Sequence, residues 1–183
     1  MTETPRDRDY ERRVRESFAR QAAMATLGAT LVRVAPGEVT LDLPFRADLT
    51  QQHGFLHAGI VASVMDSACG YAALSLMERG DAVLSVEFKV NLLAPAHGRR
   101  FRAIGRVVRA GRTVTVVSGE FRVVQAAGEE QPSTQPGSAG TLVAILTGTM
   151  MAVCGRPGCR TSPCSPLAVG TFFRALAEVT GHG

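Results

Sequence analysis

The chain has 183 residues, 45% of them hydrophobic, and a formal net charge of +4. This length suits one domain with a substantial core, and the apolar content is ordinary for a globular protein. No apolar run reaches the ~18 residues of a membrane span, and the charged N-terminus lacks the apolar core of a secretory signal, so we expect a cytoplasmic protein. Aromatic residues make up only 5%. Together with the small basic excess, this argues against a nucleic-acid surface.

The four cysteines fit a reducing compartment. Cys69 lies in an apolar segment and is expected to behave as a small buried residue. Cys154, Cys159 and Cys164 follow one another at intervals of five in a tail rich in glycine and proline. That spacing differs from the paired cysteines of zinc ribbons. We therefore predict neither a metal site nor a cofactor.

The first part of the chain predicts a helix followed by a hairpin. Residues 1–8 are expected to be flexible. An amphipathic helix is predicted from Asp9 to Leu27, with Gly28 just beyond its end, because apolar residues recur at intervals of three and four: Tyr10, Val14, Phe18, Ala22 and Ala25. Segments 31–34 and 38–43 are predicted strands joined by a short turn. Apolar and polar residues alternate over 38–43, which predicts one buried face.

A single apolar helix is predicted near the centre of the chain, over about 58–77, after a loop at 45–57. Its residues are apolar or small on nearly every side, so we expect it to be buried and to let a sheet approach closely. Asp66 is the one carboxylate within it. An ionised carboxylate in such surroundings costs several kcal/mol unless it is paired or hydrogen-bonded. We expect Asp66 to be functional; a structural carboxylate satisfied by hydroxyl or backbone groups is the alternative.

The second half of the chain predicts four strands in a meander, over 84–92, 100–109, 113–124 and 141–153. The segment Ala110-Gly111-Arg112 is a predicted hairpin turn whose glycine can take φ > 0. We expect an exposed loop at 126–140 and a tail at 155–183 that is either disordered or holds a short helix. The predicted class is α+β: an antiparallel sheet wrapped around one long central helix, in a single domain over 9–154.

A motif leads into the central helix. It consists of an amide side chain, a glycine and a histidine, then an aspartate two turns into the helix: Gln51, Gly54, His57, Ala58, Gly59 and Asp66. Ser85-Val86-Glu87 and Gly111-Arg112-Thr113 follow at later strands. With these spacings, the chain resembles the hotdog-fold acyl-CoA thioesterases of the phenylacetate-degradation (PaaI-like) branch over roughly residues 18–154.

The resemblance implies hydrolysis of an acyl-CoA, with Asp66 as general base on water or as direct nucleophile. The N-terminus of the helix offers unpaired N–H groups and a favourable dipole, so we assign the amides of Ala58 and Gly59 to the thioester carbonyl. Gly59 precedes Asp66 by two turns and lies on nearly the same face. Gln51 and Ser85 are candidates to orient the water or the carboxylate.

The resemblance also implies an oligomer. In the family these groups come from two protomers, so we expect a homodimer or homotetramer with sites at the subunit interface. The hairpin-tip residues Arg109, Gly111 and Arg112 are candidates to bind the phosphates of CoA. In the family the N-terminal helix helps to close the pocket for an aromatic or medium-chain acyl group, here through Phe18, Gln21 and Met24. Neither nucleic acid nor a membrane is an expected partner.

Two positions depart from the family pattern. Ala58 stands where the family usually has glycine; it keeps its N–H, but its methyl group narrows the approach of the thioester. Gln51 replaces the commoner asparagine and adds one methylene group. We expect His57, just before the helix, to be a capping or loop-ordering residue. Arg112 is either a phosphate ligand or a solvated turn residue.

Two other functions remain open from the sequence. Asp48 and His53 have the spacing found in hotdog enoyl-CoA hydratases, but the neighbouring Asn-Pro of that motif is missing. A non-catalytic acyl-CoA-binding sensor or subunit is the other alternative. Asp66 argues against it, because binding alone needs no buried carboxylate at the carbonyl end of the ligand.

Overall fold

The computed structural model describes residues 4–124 and 140–153. The elements of these residues are α1 (Tyr10–Ala19), α2 (Ala22–Leu27), β1 (Thr30–Ala35), β2 (Glu38–Pro44), a 3-10 turn (Ala47–Leu49), α3 (Ala58–Leu74), β3 (Ala82–Leu92), β4 (Arg100–Ala110), β5 (Val114–Val123) and β6 (Leu142–Val153). The six strands form one antiparallel sheet in the order β1-β2-β4-β5-β6-β3, and the long helix α3 packs against it. The predicted α+β architecture, an antiparallel sheet around one long helix, is confirmed.

Some predictions fall on the rest of the chain. The tail at 155–183, the cysteines beyond Cys69 and all but the last residue of the loop at 126–140 lie outside the described residues. Within the described ranges, no helix is long and apolar enough to cross a membrane.

The predicted four-strand meander is wrong in one respect. Strands β4, β5 and β6 are consecutive neighbours, but β3 pairs with β6 at the edge of the sheet rather than with β4. The other side of β4 is occupied by β2, which pairs with it from Glu38–Arg106 to Pro44–Arg100. Alternating residues decide which face of a strand is buried, whereas they carry little information about which strand lies beside it.

The predicted N-terminal helix is two helices. The chain breaks at Gln21, whose backbone is extended (φ −81°, ψ 91°). The apolar face predicted for one continuous helix does not continue past the break: Ala22 and Ala25 are exposed, and Met24 and Leu27 of α2 are buried instead. Gly28 ends α2 in the left-handed region (φ 74°), as predicted for a residue just beyond a helix.

Helix and sheet are in very close contact at the centre of the core. A Cβ on Gly105 of β4 would lie 2.5 Å from the carbonyl oxygen of Ala68. Small helix residues such as Cys69 were predicted to allow this approach, and the sheet contributes a glycine of its own. Behind them, Phe101 and Phe121 stack with ring centroids 5.4 Å apart. This packing holds the middle of α3, and with it Asp66, against the sheet.

Strand β2 was predicted to have one buried face, but both of its faces are buried. Its inward face carries Val39, Leu41 and Leu43. On the outward face, Asp42 is 7% exposed because Arg102 binds it through Nε at 2.7 Å and Nη2 at 3.0 Å. Long arginine side chains cover this face of the strand, which a pattern of polar residues does not reveal.

Candidate active site

Asp66 and Ser85 are brought together by the fold. The Ser85 hydroxyl of β3 donates to Asp66 Oδ1 of α3 at 2.6 Å, across 19 residues of sequence. Burial raises the pKa of Asp66 above its ordinary value, and the hydrogen bond from Ser85 offsets part of that rise. Asp66 is only partly buried. The arrangement leaves a partly desolvated carboxylate with one oxygen held by Ser85.

The loop before α3 is folded on itself. Gln51 N–H donates to Phe55 O at 2.9 Å, and Gly54 N–H donates to Gln51 O at 3.0 Å. The side-chain carbonyl of Gln51 accepts from the backbone N–H of His53. Its amide nitrogen has no hydrogen-bond partner among the described residues.

His57 begins the helix. Its backbone is extended (φ −63°, ψ 137°), and its Nδ1 accepts a hydrogen bond from Gly59 N–H at 2.9 Å. This is the capping role that the sequence favours for His57. The amides of Ala58 and Gly59 are therefore not equivalent, because only that of Gly59 is occupied by a side chain.

The two halves of the predicted site lie far apart within one chain. At 1.5 Å per residue, Asp66 lies about 12 Å along α3 from Ala58. A carbonyl oxygen bound at the helix N-terminus and the atom that attacks its carbon must lie within a few ångströms of one another. The fold thus joins Asp66 to Ser85, but it does not bring that pair to Ala58 or Gly59 of the same chain.

Two of the residues predicted to line the acyl pocket, Phe18 and Gln21, contact α3 beside Asp66. Gln21 Nε2 donates to Ser67 Oγ at 3.2 Å, and the ring of Phe18 packs edge-on against Tyr71 at 5.7 Å. Met24 is a fully buried core residue. Ser67 and Tyr71 were not predicted from the sequence. Their spacing of four on the predicted helix, next to Asp66, was the available signal.

The hairpin between β4 and β5 holds the predicted phosphate-binding residues. Arg109, Gly111 and Arg112 are exposed, and within the described part of the chain neither arginine has a carboxylate partner. Gly111 does not adopt the positive φ that glycine permits. Glycine is required there because a Cβ would collide with the carbonyl oxygen of Val114, which accepts from Gly111 N–H at 2.9 Å.

Other predicted sites receive less support. Asp48 binds Arg46 through Nη2 at 2.5 Å, and this contact lowers the pKa of Asp48. The hydratase alternative requires Asp48 to act together with His53. Asp48 is instead part of an exposed ion pair with Arg46. No three metal-ligating side chains cluster in the described ranges.

Comparison with known proteins identifies the family. The model of the thioesterase superfamily matches residues 53–126. A crystal structure of a thioesterase family protein from Silicibacter pomeroyi is 52% identical, covers 80% of this chain and 99% of its own, and superposes with a TM-score of 0.71. The chain belongs to the thioesterase superfamily. The predicted thioester hydrolase is thereby confirmed at the level of the family.

Two further similar proteins have lower sequence identity. Human acyl-coenzyme A thioesterase 13 is 31% identical over 90 residues, which are 49% of this chain and 64% of the human protein. The E. coli PaaI protein of the phenylacetic acid degradation operon has a TM-score of 0.67 at 19% identity, covering 80% of this chain and 95% of its own. That second likeness shows a shared fold.

Proposed function

We propose that this protein hydrolyses acyl-CoA thioesters to a free acid and CoA. The observation that carries the proposal is the carboxylate of Asp66, which stands alone on an apolar helix and is held by Ser85 Oγ at 2.6 Å. The sequence similarity to human acyl-coenzyme A thioesterase 13 supports CoA as the leaving group.

Asp66 activates the attack on the thioester. Its raised pKa makes it a stronger base than an ordinary aspartate, while it is still ionised when the pH exceeds that pKa. Ser85 holds Oδ1, so that Oδ2 is left to take a proton from water or to attack the carbonyl carbon directly. In both routes the carbonyl oxygen becomes an oxyanion, and the CoA thiolate leaves when the carbonyl re-forms and then takes up a proton. Attack by water gives the free acid at once, and Asp66 returns the proton that it took from the water. Attack by Asp66 gives a mixed anhydride between the acyl group and the carboxylate, which water then hydrolyses to the free acid and regenerated Asp66.

The N-terminus of α3 stabilises the oxyanion. Backbone N–H groups there combine with the positive end of the helix dipole, and both act most strongly when negative charge develops on the oxygen. Ala58 carries the amide that is not used by His57. Gln51, on the loop before it, offers the side-chain amide that has no partner within the described residues.

Two copies of the chain complete one site. Because Asp66 lies about 12 Å from Ala58 along the same helix, the two cannot act on one carbonyl unless they come from different subunits. Strand β3 carries Ser85 and, among the described residues, pairs along only one of its edges; the side chains of Val86 and Phe88 on this strand are exposed. An apolar edge strand is a template for pairing with another strand. We place the partner subunit on this edge, in a homodimer or in a homotetramer of two such dimers.

The acyl group and the CoA contact different elements. The joint between α1 and α2, with Phe18 and Gln21, forms a wall beside the part of α3 that follows Asp66. That wall favours an aromatic or medium-chain acyl group over a polar one. The exposed guanidinium groups of Arg109 and Arg112 bind the phosphates of CoA.

The test is CoA release from a panel of phenylacetyl-, benzoyl-, short-, medium- and long-chain acyl-CoAs. We expect Asp66→Asn to lower turnover by about 10²–10⁴-fold, the range for a general base. Asp48→Asn, which alters an exposed carboxylate in an ion pair, is the matched control and should keep the wild-type rate. A blank without substrate corrects for the four cysteines of the chain.

Two results would contradict the proposal. A fully active Asp66→Asn would remove Asp66 from the mechanism. Binding of acyl-CoA without turnover by the wild type would favour the non-catalytic sensor or subunit.

A further inference from the structure

The backbone amides at the start of α3 are almost all occupied. His57 N–H donates to Leu49 O at 3.0 Å, Ile60 N–H to His57 O at 2.9 Å and Val61 N–H to His57 O at 3.3 Å. Gly59 N–H donates to the His57 side chain at 2.9 Å. Among the described residues, Ala58 N–H is the one amide from 57 to 61 without an acceptor. A helix N-terminus usually leaves several amides unpaired. The first turn of α3 is unusual because it leaves one backbone amide available to a ligand.

His57 is the residue that produces this selection. Through its backbone carbonyl it accepts from two amides, and through Nδ1 it accepts from a third. An imidazole nitrogen that accepts a hydrogen bond carries no proton, so a neutral His57 holds its proton on Nε2.

Gly59 makes room for the ring. A Cβ on Gly59 would lie 3.1 Å from His57 Nδ1, which is tighter than ordinary contact, and 3.4 Å from Cε1. Glycine at this position therefore leaves room for the imidazole beside the first turn. The ring and the missing side chain are thus complementary, which is an observation independent of the hydrogen bond.

We propose that His57 is a positioning residue: it occupies the Gly59 amide and orients the first turn so that Ala58 N–H is the one backbone amide that receives the oxyanion. The proposal rests on the function proposed above and deepens it. His57 does not transfer a proton in this role. It keeps Gly59 N–H from competing for the oxygen. Its own extended backbone (φ −63°, ψ 137°) sets the direction of the peptide group that carries Ala58 N–H.

The test compares two substitutions of His57. His57→Ala removes the acceptor and should lower kcat by about 10²-fold with little change in KM, because a misdirected donor chiefly affects the transition state. His57→Asn restores an acceptor, since asparagine is among the best N-cap residues, and it should recover kcat to within about threefold of wild type. Asparagine cannot act as an acid or base near neutral pH, so recovery separates positioning from proton transfer.

A spectroscopic readout does not depend on activity. The ¹⁵N shifts of the imidazole of His57 in the untagged wild-type protein should show an unprotonated Nδ1 and a protonated Nε2. A proton on Nδ1 would overturn the proposal, even if His57→Ala failed to fold.

The kinetic outcomes are equally decisive. Equal losses in both variants would make His57 a proton-transfer group, and unchanged kcat in both would leave it a cap with no effect on the reaction; each overturns the proposal. A silent wild type across the acyl-CoA panel would remove the proposed function together with the oxyanion role. The ring-nitrogen spectrum would still show whether the cap exists.

Discussion

Ser85 Oγ donates to Asp66 Oδ1 at 2.6 Å, and this contact joins an edge strand to the central helix. Two opposing effects act on the carboxylate. Burial raises the pKa of Asp66 and is the larger effect, while the hydrogen bond from Ser85 lowers it. The sum of these two effects sets the pKa of Asp66, and therefore the pH above which its carboxylate is ionised and can act as a base. It also makes Ser85 the residue through which that pH can be changed without touching the carboxylate.

The first prediction concerns the pH dependence of turnover. Only ionised Asp66 accepts a proton, so kcat/KM should fall as the pH decreases through the raised pKa of Asp66. Ser85→Ala removes the effect that lowers this pKa, so the acidic limb should move to higher pH. Ser67, the neighbour of Asp66 in sequence, has a hydroxyl that accepts from Gln21. Ser67→Ala is the control and should leave the acidic limb in place. A limb that moves to lower pH in Ser85→Ala would contradict the assignment.

The second prediction concerns stability. The folded-state pKa of Asp66 is raised above that of an unfolded aspartate, so folding takes up a proton between the two values and stability falls as the pH rises through that window. Asp66→Asn removes this cost. At pH 8 it should have a larger free energy of unfolding than wild type, and the difference should shrink as the pH falls towards that of an ordinary carboxyl. Urea unfolding at fixed protein concentration measures it; a difference that grows in acid would refute the idea.

The third prediction isolates the Ala58 amide. Ala58 is the first helical residue, where proline is well tolerated, and His57 already has the extended backbone that proline demands of its predecessor. Ala58→Pro should therefore fold and keep its helix content by circular dichroism. Because it lacks the N–H, its kcat should fall by about 10²–10³-fold, the cost of losing one oxyanion donor. Ala58→Gly retains the N–H and should stay within a few-fold of wild type.

The fourth prediction tests the close approach of helix and sheet. Gly105→Ala would place a methyl group against the backbone of Ala68 and Cys69, which cannot move separately from α3. We expect a loss of about 3 kcal/mol, at the upper end of the usual cost of overpacking. Gly70 is also buried, but a Cβ added to it would meet no atom within 4 Å. Gly70→Ala should therefore raise the free energy of unfolding by about 0.5–1 kcal/mol, because alanine has the better helix propensity. Chemical denaturation of both variants measures the contrast, and equal effects would argue against it.

The fifth prediction tests the proposed subunit contact. Val86 on the β3 edge is 57% exposed, and Val32 on the β1 edge, at the opposite side of the sheet, is 45% exposed. Val86→Lys should shift the protein towards monomer in analytical ultracentrifugation and lower CoA release in parallel, since charged residues discourage edge pairing. Val32→Lys should change neither property. Loss of assembly with full activity would show that one chain holds a complete site.

Much of this protein could be predicted from local sequence. The apolar residues on every side of 58–74 indicate a buried helix, and Asp66 is conspicuous because nothing near it in the sequence neutralises it. The alternation over 38–43 and 84–92 indicates strands. Each of these signals comes from residues within one or two turns or strand repeats of each other, where chain geometry alone sets their relative positions.

Tertiary structure decided the rest. The position of β3 beside β6, the break at Gln21 and the burial of Asp42 under arginine side chains all depend on contacts between distant segments. The same is true of the hydrogen bond from Ser85 to Asp66. Glycine at 105 follows from the closeness of α3, and glycine at 111 from the carbonyl of Val114 across the turn. The sequence by itself determined which residues are apolar, small or charged and which local element they form. Only packing decided which of them meet, because pairing energies depend on neighbours that periodicity does not specify.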